Sequence, residues 1–596
     1  MTEAERGIRY NPTRRRILRD SMFATLGLVA AACQAALPGS SATPGAGAST
    51  AAKAKGGEFH GAWPYSLPPA GHYNYFATNA ILSGGIFTDL FIPSLAIYRW
   101  ADAKWDYWLA ESSSLNGNDY TVKLRSGLKW DDGTAFSSKD VVTTYWIGRM
   151  EGFGIWNFID TITAVDDLTV KFHYTKPTSI GERLILRNGI RPDKTFGAIA
   201  KQLQDLFAAG KTTASDEVKA LRTTKDALRP TSAPSIGPYK IDMASVTDAQ
   251  LSMVRNTGGL FADSVNFDKI LVWQGETAQV TPLVLSGDVD YATHGFPVAT
   301  DKQFQDQGLK VIRGPLFTGP ALYFHWDKAP QFQDKRLRQA VAHAINRAES
   351  GQIAYGDSGK APKFMAGYSD SLVPTWVSTA DQAKLKEYEY STTKADALMK
   401  DAGYAKGSDG IYAKDGKKLD FEMYYPSDFA DWSSAATHAA DALNKFGIKI
   451  TPRGAPRAQQ LVDTNDGKFQ IALNAWGIGN PHPQQSLVRP LREYNTTPAG
   501  GGQHYPVTNG LDWEAKLNAA VEGFDTAKQK PVVTELTLAF NDLLPAVPLW
   551  ERFNNNPMND KKRVAGWPPL TDKIFQNGSG DNFTIVMLMD GTLYKL

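Results

Sequence analysis

The sequence predicts an α/β chain of two or three domains built on mixed sheets. Helical and strand-like segments alternate along almost its whole length, the pattern of layered α/β folds. About 560 residues remain once the N-terminal 33 are set aside, more than one hydrophobic core normally serves. No repeat of fixed short period is visible, so a solenoid is not indicated.

Taken in order, Glu58, Phe59 and His60 begin a strand that runs into a loop at Trp63 and Pro64. Residues 82–95 have helical spacing, with Ile86, Leu90 and Phe91 on one face. Residues 120–124 and 169–174 alternate as strands, and between them Ser137 and Asp140 cap a helix through Val141 and Tyr145. Residues 195–230 predict two short surface helices, and 235–239 a turn leading into a strand. A strand is expected over 267–273, then a helix over 277–286 in which Pro282 fits only a first turn or a kink. In the second half, strands are expected at 321–326, 420–425, 470–475 and 546–550. Helices are expected at 335–350, 385–402, 435–446, 511–527 and 531–543, the last with Pro531 in its first position.

The N-terminus predicts export. Arg14, Arg15 and Arg16 precede a short apolar run from Met22 to Ala32 and the chain's one cysteine, Cys33. The run is shorter than the ~20 residues a spanning helix needs, so residues 1–33 read as a twin-arginine and lipoprotein signal. Residues 34–56 are mostly small and read as a flexible tether. The protein is expected outside the cytoplasm, lipid-anchored through Cys33 or periplasmic, and monomeric. The formal charge is +2, and six arginines against three acids in residues 1–33 leave the remainder near −1. No basic block suited to nucleic acid follows. With one cysteine, disulfides and thiolate zinc sites are excluded. Fifteen tryptophans exceed the needs of a core.

The run YTVKLRSGLKWDDGTAFSSKDVV at residues 120–142 closely resembles the signature of the family 5 extracellular solute-binding proteins of ABC transporters, the oligopeptide, dipeptide and nickel group. The resemblance recurs at SIGPY (235–239), LSGDVD (285–290), FQDKRLRQAVAHAINR (332–347) and AVPL (546–549). It implies the large periplasmic-binding-protein fold, two lobes joined by a two-crossover hinge with an extra subdomain in the first lobe. The first lobe is placed at 57–95, 235–315 and 545–596, the extra subdomain at 96–234 and the second lobe at 316–544. It also implies a permease and ATPase as partners, no cofactor and no enzymatic turnover. Asp131 and Asp132 are expected to be a solvated turn, and Arg336 and Arg338 a helix surface or a lobe-internal ion pair.

The clearest ligand candidates lie at LNAWGIGNPHP, residues 473–483, where a strand meets a Gly-rich loop. By the resemblance, peptide-binding members carry a carboxylate after the matching tryptophan, paired with the peptide's α-ammonium. Here Gly477, Ile478, Gly479 and Asn480 follow Trp476. A buried ammonium without a partner costs several kcal/mol, about what a neutral sugar avoids. The first expectation is therefore a β-linked di- to tetrasaccharide stacked on Trp476, with Asn474, Asn480 and His482 on its hydroxyls. An oligopeptide or dipeptide is the alternative, and a metal chelate or siderophore a further one, with His482 and His504 as the pair to watch. Further candidates are Trp63, Trp273, Tyr425, Trp432, Trp550 and Glu551, each of which would serve equally as core. No Gly-x-Ser-x-Gly elbow, His-Glu-x-x-His pair, phosphate loop or Rossmann fingerprint is present.

Overall fold

The computed structural model describes residues 53–64, 73–76, 85–496 and 500–596. The signal, Cys33 and nearly all of the tether lie outside the described residues, as do residues 82–84. Among the described residues no helix is long and apolar enough to cross a membrane.

The first strand, Glu58–Trp63, sits inside a seven-stranded sheet, not at its edge. The order is Lys310–Ile312, Asn556–Met558, Tyr291–Ala292, Glu58–Trp63, Lys269–Gln274, Gln250–Arg255, Tyr239–Asp242. Glu58–Trp63 runs parallel to both Lys269–Gln274 and Tyr291–Ala292. Gly61 is required there, because a Cβ would stand 2.3 Å from the buried Phe87 ring. Strands from the start, the middle and the end of the chain thus complete one sheet.

Residues 110–174 contribute a four-stranded antiparallel sheet on which helix Ser138–Met150 packs, with Asp193–Ala208 against that helix and Asp216–Ala227 against Asp193–Ala208. The capping box on Ser137 and Asp140 is present. Its core is continuous with that of the first sheet. Asp581, fully buried, locks the two together: it accepts from Arg183 (2.6 Å), Arg187 (3.0 Å) and the Trp100 indole (2.9 Å). Burial works to raise this carboxyl, but the two guanidinium groups prevail and hold it below its ordinary value.

The second lobe is built on a sheet in the order Gly359–Lys360, Glu551–Phe553, Pro315–Phe324, Ile471–Trp476, Asp420–Pro426, Lys449–Ala455. Val547–Pro548 also pairs with Pro315–Phe324. The long strand Pro315–Phe324 leads into this lobe, and Glu551–Phe553 returns beside it. Their register slips between Pro315 and Thr318, where Phe317 adopts φ +59 and stacks on Trp100 at 4.2 Å. A left-handed phenylalanine at a bulge is a local strain the surrounding packing must hold.

Several expectations need correcting. The helix expected at 335–350 is two, Lys335–Ala344 and Arg347–Tyr355, because Ile345 turns extended and Asn346 caps the second. Helix Thr526–Leu543 begins a turn before Pro531, capped by Asp525, so the proline lies inside it. Residues 86–90 form one 3₁₀ turn where a longer helix was expected. Arg336 pairs with Asp334, but Arg338 is neither surface nor ion pair. It is buried and donates to the carbonyls of Leu543 and Leu544 at the end of that helix.

Candidate functional site

Parallel strands deliver the chain to a site at their carboxyl ends, where α/β sheets bind ligands. In the first lobe, Glu58–Trp63 ends at Trp63 and Pro64, Lys269–Gln274 leads to Glu276, and Tyr291–Ala292 leads to Thr293 and His294. In the second, Asp420–Pro426 leads to Asp428 and the start of helix Ala430–Phe446, which carries Asp431. These ends line one cavity of about 680 Å³, within the ~300–1,000 Å³ of small-molecule sites. Arg552 and Asn554 on the returning strand, Tyr355, and Arg187 and Arg191 complete its wall.

Four carboxylates (Asp89, Glu276, Asp428, Asp431) face three guanidinium groups. Arg187 is already engaged by Asp89 and Asp581. Arg552 donates to the Tyr355 hydroxyl at 3.1 Å, lies over that ring, and stands 3.8 Å from Asp431. Gly295 permits this, since a Cβ there would meet the Arg552 guanidinium at 2.2 Å. Burial raises the Asp431 carboxyl, with Arg552 opposing. Glu276 is exposed on the wall, yet partial desolvation and the like charge of Asp428 raise its carboxyl, with Arg552 opposing.

The wall also holds buried polar atoms with no hydrogen-bond partner in the protein, one of them the Asp431 oxygen that Arg552 approaches. They are Thr293 Oγ1, His294 Nδ1, Asp431 Oδ2 and Asn554 Nδ2. His294 donates from Nε2 to the Gly275 carbonyl at 2.6 Å, which leaves Nδ1 an acceptor, and burial holds it neutral with a pKa of about 4. Unmet groups of this kind cost stability unless something else satisfies them. Two are acceptors, one is a donor and one is a hydroxyl.

Of the residues singled out in the sequence, Trp63 alone lines this cavity. Trp476 is fully buried in the second lobe's core, its indole donating to the Trp550 carbonyl at 3.1 Å. It belongs to a central strand covered on both faces, so the stacking platform becomes core. Asn474 is buried and accepts from Arg457 and Gln460. Asn480 holds its own turn by accepting from the His482 amide. His482 caps helix Pro483–Val488, faces Gln529 and packs on Trp376, away from His504. Trp550 is buried against Tyr355, and Tyr425 and Trp432 pack with the second lobe's core. Trp273 packs with a first-lobe cluster, its indole nitrogen unpartnered. Asp131 and Asp132 hold a turn, accepting from the amides of Ser235 and Thr134.

Glu551 points away from the cavity to the Ser369 hydroxyl at 2.6 Å. Burial pushes its carboxyl up to about 7, Ser369 opposes this and Asp370 adds to it. The folded state therefore keeps a proton that the unfolded chain releases. The stability this contributes is complete below about pH 4.5 and is lost as pH rises through about 7. Glu551→Gln is expected to remove that slope, of order 3 kcal/mol at most, visible as a flatter melting temperature between about pH 5 and about pH 8.

Among the described residues, His325, Asp327 and His504 lie close enough to share a metal ion. His325 Nδ1, however, accepts from the amides of Asp327 and Lys328, which puts its proton on Nε2. His504 Nδ1 meets Asp327 at 2.7 Å. The cluster's ring nitrogens and carboxylate are thus engaged in hydrogen bonds.

The sequence profile of the bacterial extracellular solute-binding proteins, family 5, middle region, matches residues 104–497. The dipeptide-binding protein of Escherichia coli K12 is 22% identical over 540 residues, covering 84% of this chain and 88% of its own. The periplasmic oligopeptide-binding protein of a Thermotoga maritima oligopeptide ABC transporter superposes with a TM-score of 0.72 at 20% identity, over 90% of this chain and 99% of that one. A second structure of it, bound to mannohexaose, gives 0.69 at 20% identity over 90% and 98%.

Proposed function

From the premise that the chain belongs to family 5 of the bacterial extracellular solute-binding proteins, we propose that it captures a short peptide with a free α-ammonium group between its lobes. It then delivers that peptide to the permease and ATPase of an ABC importer. The observation that carries this reading is the set of carboxylates on the cavity wall. Glu276 comes from the first lobe and Asp428 and Asp431 from the second, beside the unfilled acceptors of His294 and Asp431. An ammonium group donates three hydrogen bonds and accepts none, so it matches that wall. Arg552 and the Asn554 amide supply donors for the peptide's carboxylate.

A ligand touching both lobes stabilises the closed arrangement by its differential affinity for it. The oligosaccharide placed first on sequence grounds stands second. Its intended platform, Trp476, is core, while Trp63 on the wall and the mannohexaose held by the Thermotoga protein are what favour it.

Titration calorimetry decides between them, using defined di- and tripeptides, their N-acetylated forms, and cello- and manno-oligosaccharides. Peptides are expected to bind and N-acetylation to abolish binding. Binding of sugars alone would reverse the assignment. Lipid on Cys33 as the mature N-terminus remains part of the proposal, and mass spectrometry of the exported protein tests it.

A further inference from the structure

The lobes meet at a second place besides the hinge. In the extra subdomain, residues 177–179 join strand Thr169–Tyr174 to helix Gly181–Leu186. They lie against residues 521–524 of the second lobe, just before helix Thr526–Leu543. The Gly523 amide donates to the Pro177 carbonyl at 2.8 Å, and the Ser179 amide donates to the Val521 carbonyl at 3.2 Å. Thr178, 1% exposed, forms isolated β-bridges with Glu522 and Gly523. Phe524 closes the contact edge-on against Tyr174, ring centres 5.3 Å apart.

Both sides are braced. Gln529, buried, donates to the carbonyls of Glu522 and Gly523 at 3.0 and 3.2 Å, fixing the second-lobe strand of the contact. On the other side Arg183 and Arg187, immediately downstream of residues 177–179, are bound to Asp581, so the extra subdomain moves with the first lobe. Arg187, Asn188, Gly189 and Arg191 then form part of the cavity wall.

We propose that residues 177–179 and 521–524 form a latch whose main-chain hydrogen bonds and Phe524–Tyr174 contact hold the lobes closed and so set part of the affinity for ligand. The inference rests on ligand binding between the lobes. For a ligand to enter or leave, the lobes must separate, and the latch must break with them. Every group in the latch comes from the protein, so its contribution is the same for every ligand and raises affinity without adding selectivity. It acts by enlarging the closed, binding-competent fraction.

The test needs no ligand. Partners across an antiparallel bridge lie ~4.5–5.5 Å apart at Cα, inside the ~4.4–6.8 Å a disulfide spans. In the full chain carrying Cys33→Ser, the pair Thr178→Cys and Glu522→Cys is expected to cross-link in most molecules on mild oxidation. Separately, Phe524→Ala is expected to raise the open-to-closed ratio about tenfold, the scale of one aromatic contact. Small-angle X-ray scattering reads this as a larger radius of gyration. Failure of the cross-link to form, or an unchanged radius for Phe524→Ala, overturns the latch. Both readouts stand even if no peptide binds, an outcome that would instead reject the peptide assignment.

Discussion

Trp476→Ala is expected to lower folding stability by about 3–5 kcal/mol while leaving affinity for a bound peptide within about threefold. The ring is fully buried, lies on a strand covered on both faces, and donates to the Trp550 carbonyl. Truncation leaves a cavity and strips that carbonyl of its donor. Gly319 shows how tight the packing is, since a Cβ there would stand 1.9 Å from the same carbonyl and 3.0 Å from the Trp476 nitrogen. Urea unfolding with calorimetry on the refolded variant checks both parts. Lost binding at unchanged stability would place the ring on the ligand instead.

Replacing Glu276 by Gln together with Asp428 by Asn is expected to weaken peptide binding by about 10²–10³-fold. Both residues are exposed on the cavity wall and are desolvated only when the proposed peptide covers them. Removing one side of a charge pair so buried typically costs about 3–5 kcal/mol, because the remaining charge is left without a partner. Neither residue sits in the core, so the melting temperature should hold. A neutral sugar loses no charge partner in this variant, and unchanged affinity for a sugar ligand would mark the second reading as the right one. Acid should act in the same direction. As pH falls and the raised Glu276 carboxyl takes up a proton, peptide affinity is expected to fall with it.

The family, the alternation of elements and the general two-lobed plan were legible because they rest on motifs and periodicity. Ser137 and Asp140 announced their helix through capping chemistry, which is local. The site was not legible in the same way. Residues 471–476 read as a strand, but which face of a strand meets solvent depends on what the fold stacks against it, and here both faces are covered. Glu551 and Arg552 are neighbours with opposite fates, one buried on Ser369 and the other on the cavity wall, because successive side chains point to opposite sides. In the reading proposed above, the carboxylates missing from the loop after Trp476 come from elsewhere on the cavity wall, from Asp428 and Asp431 beside the start of helix Ala430–Phe446 and from the cap residue Glu276. A signal existed: an acidic residue where a strand gives way to a helix favours the helix N-terminus and sits at the end of the sheet that binds ligands.

The sheet that joins Glu58–Trp63 to Asn556–Met558 through Tyr291–Ala292 has a consequence for how the protein comes into being. Its strands are made far apart in time, residues 58–63 long before 239–312 and these long before 556–558. The first strand must wait, unpaired on either side, until its parallel neighbours from residues 269 and 291 onward emerge. The sheet gains its penultimate strand only when residue 556 is made. Pairings of such long sequence separation fold slowly and expose sticky edges meanwhile. The first lobe therefore completes its sheet late, and a product truncated before residue 556 should be a target for proteolysis, not a partly working binder.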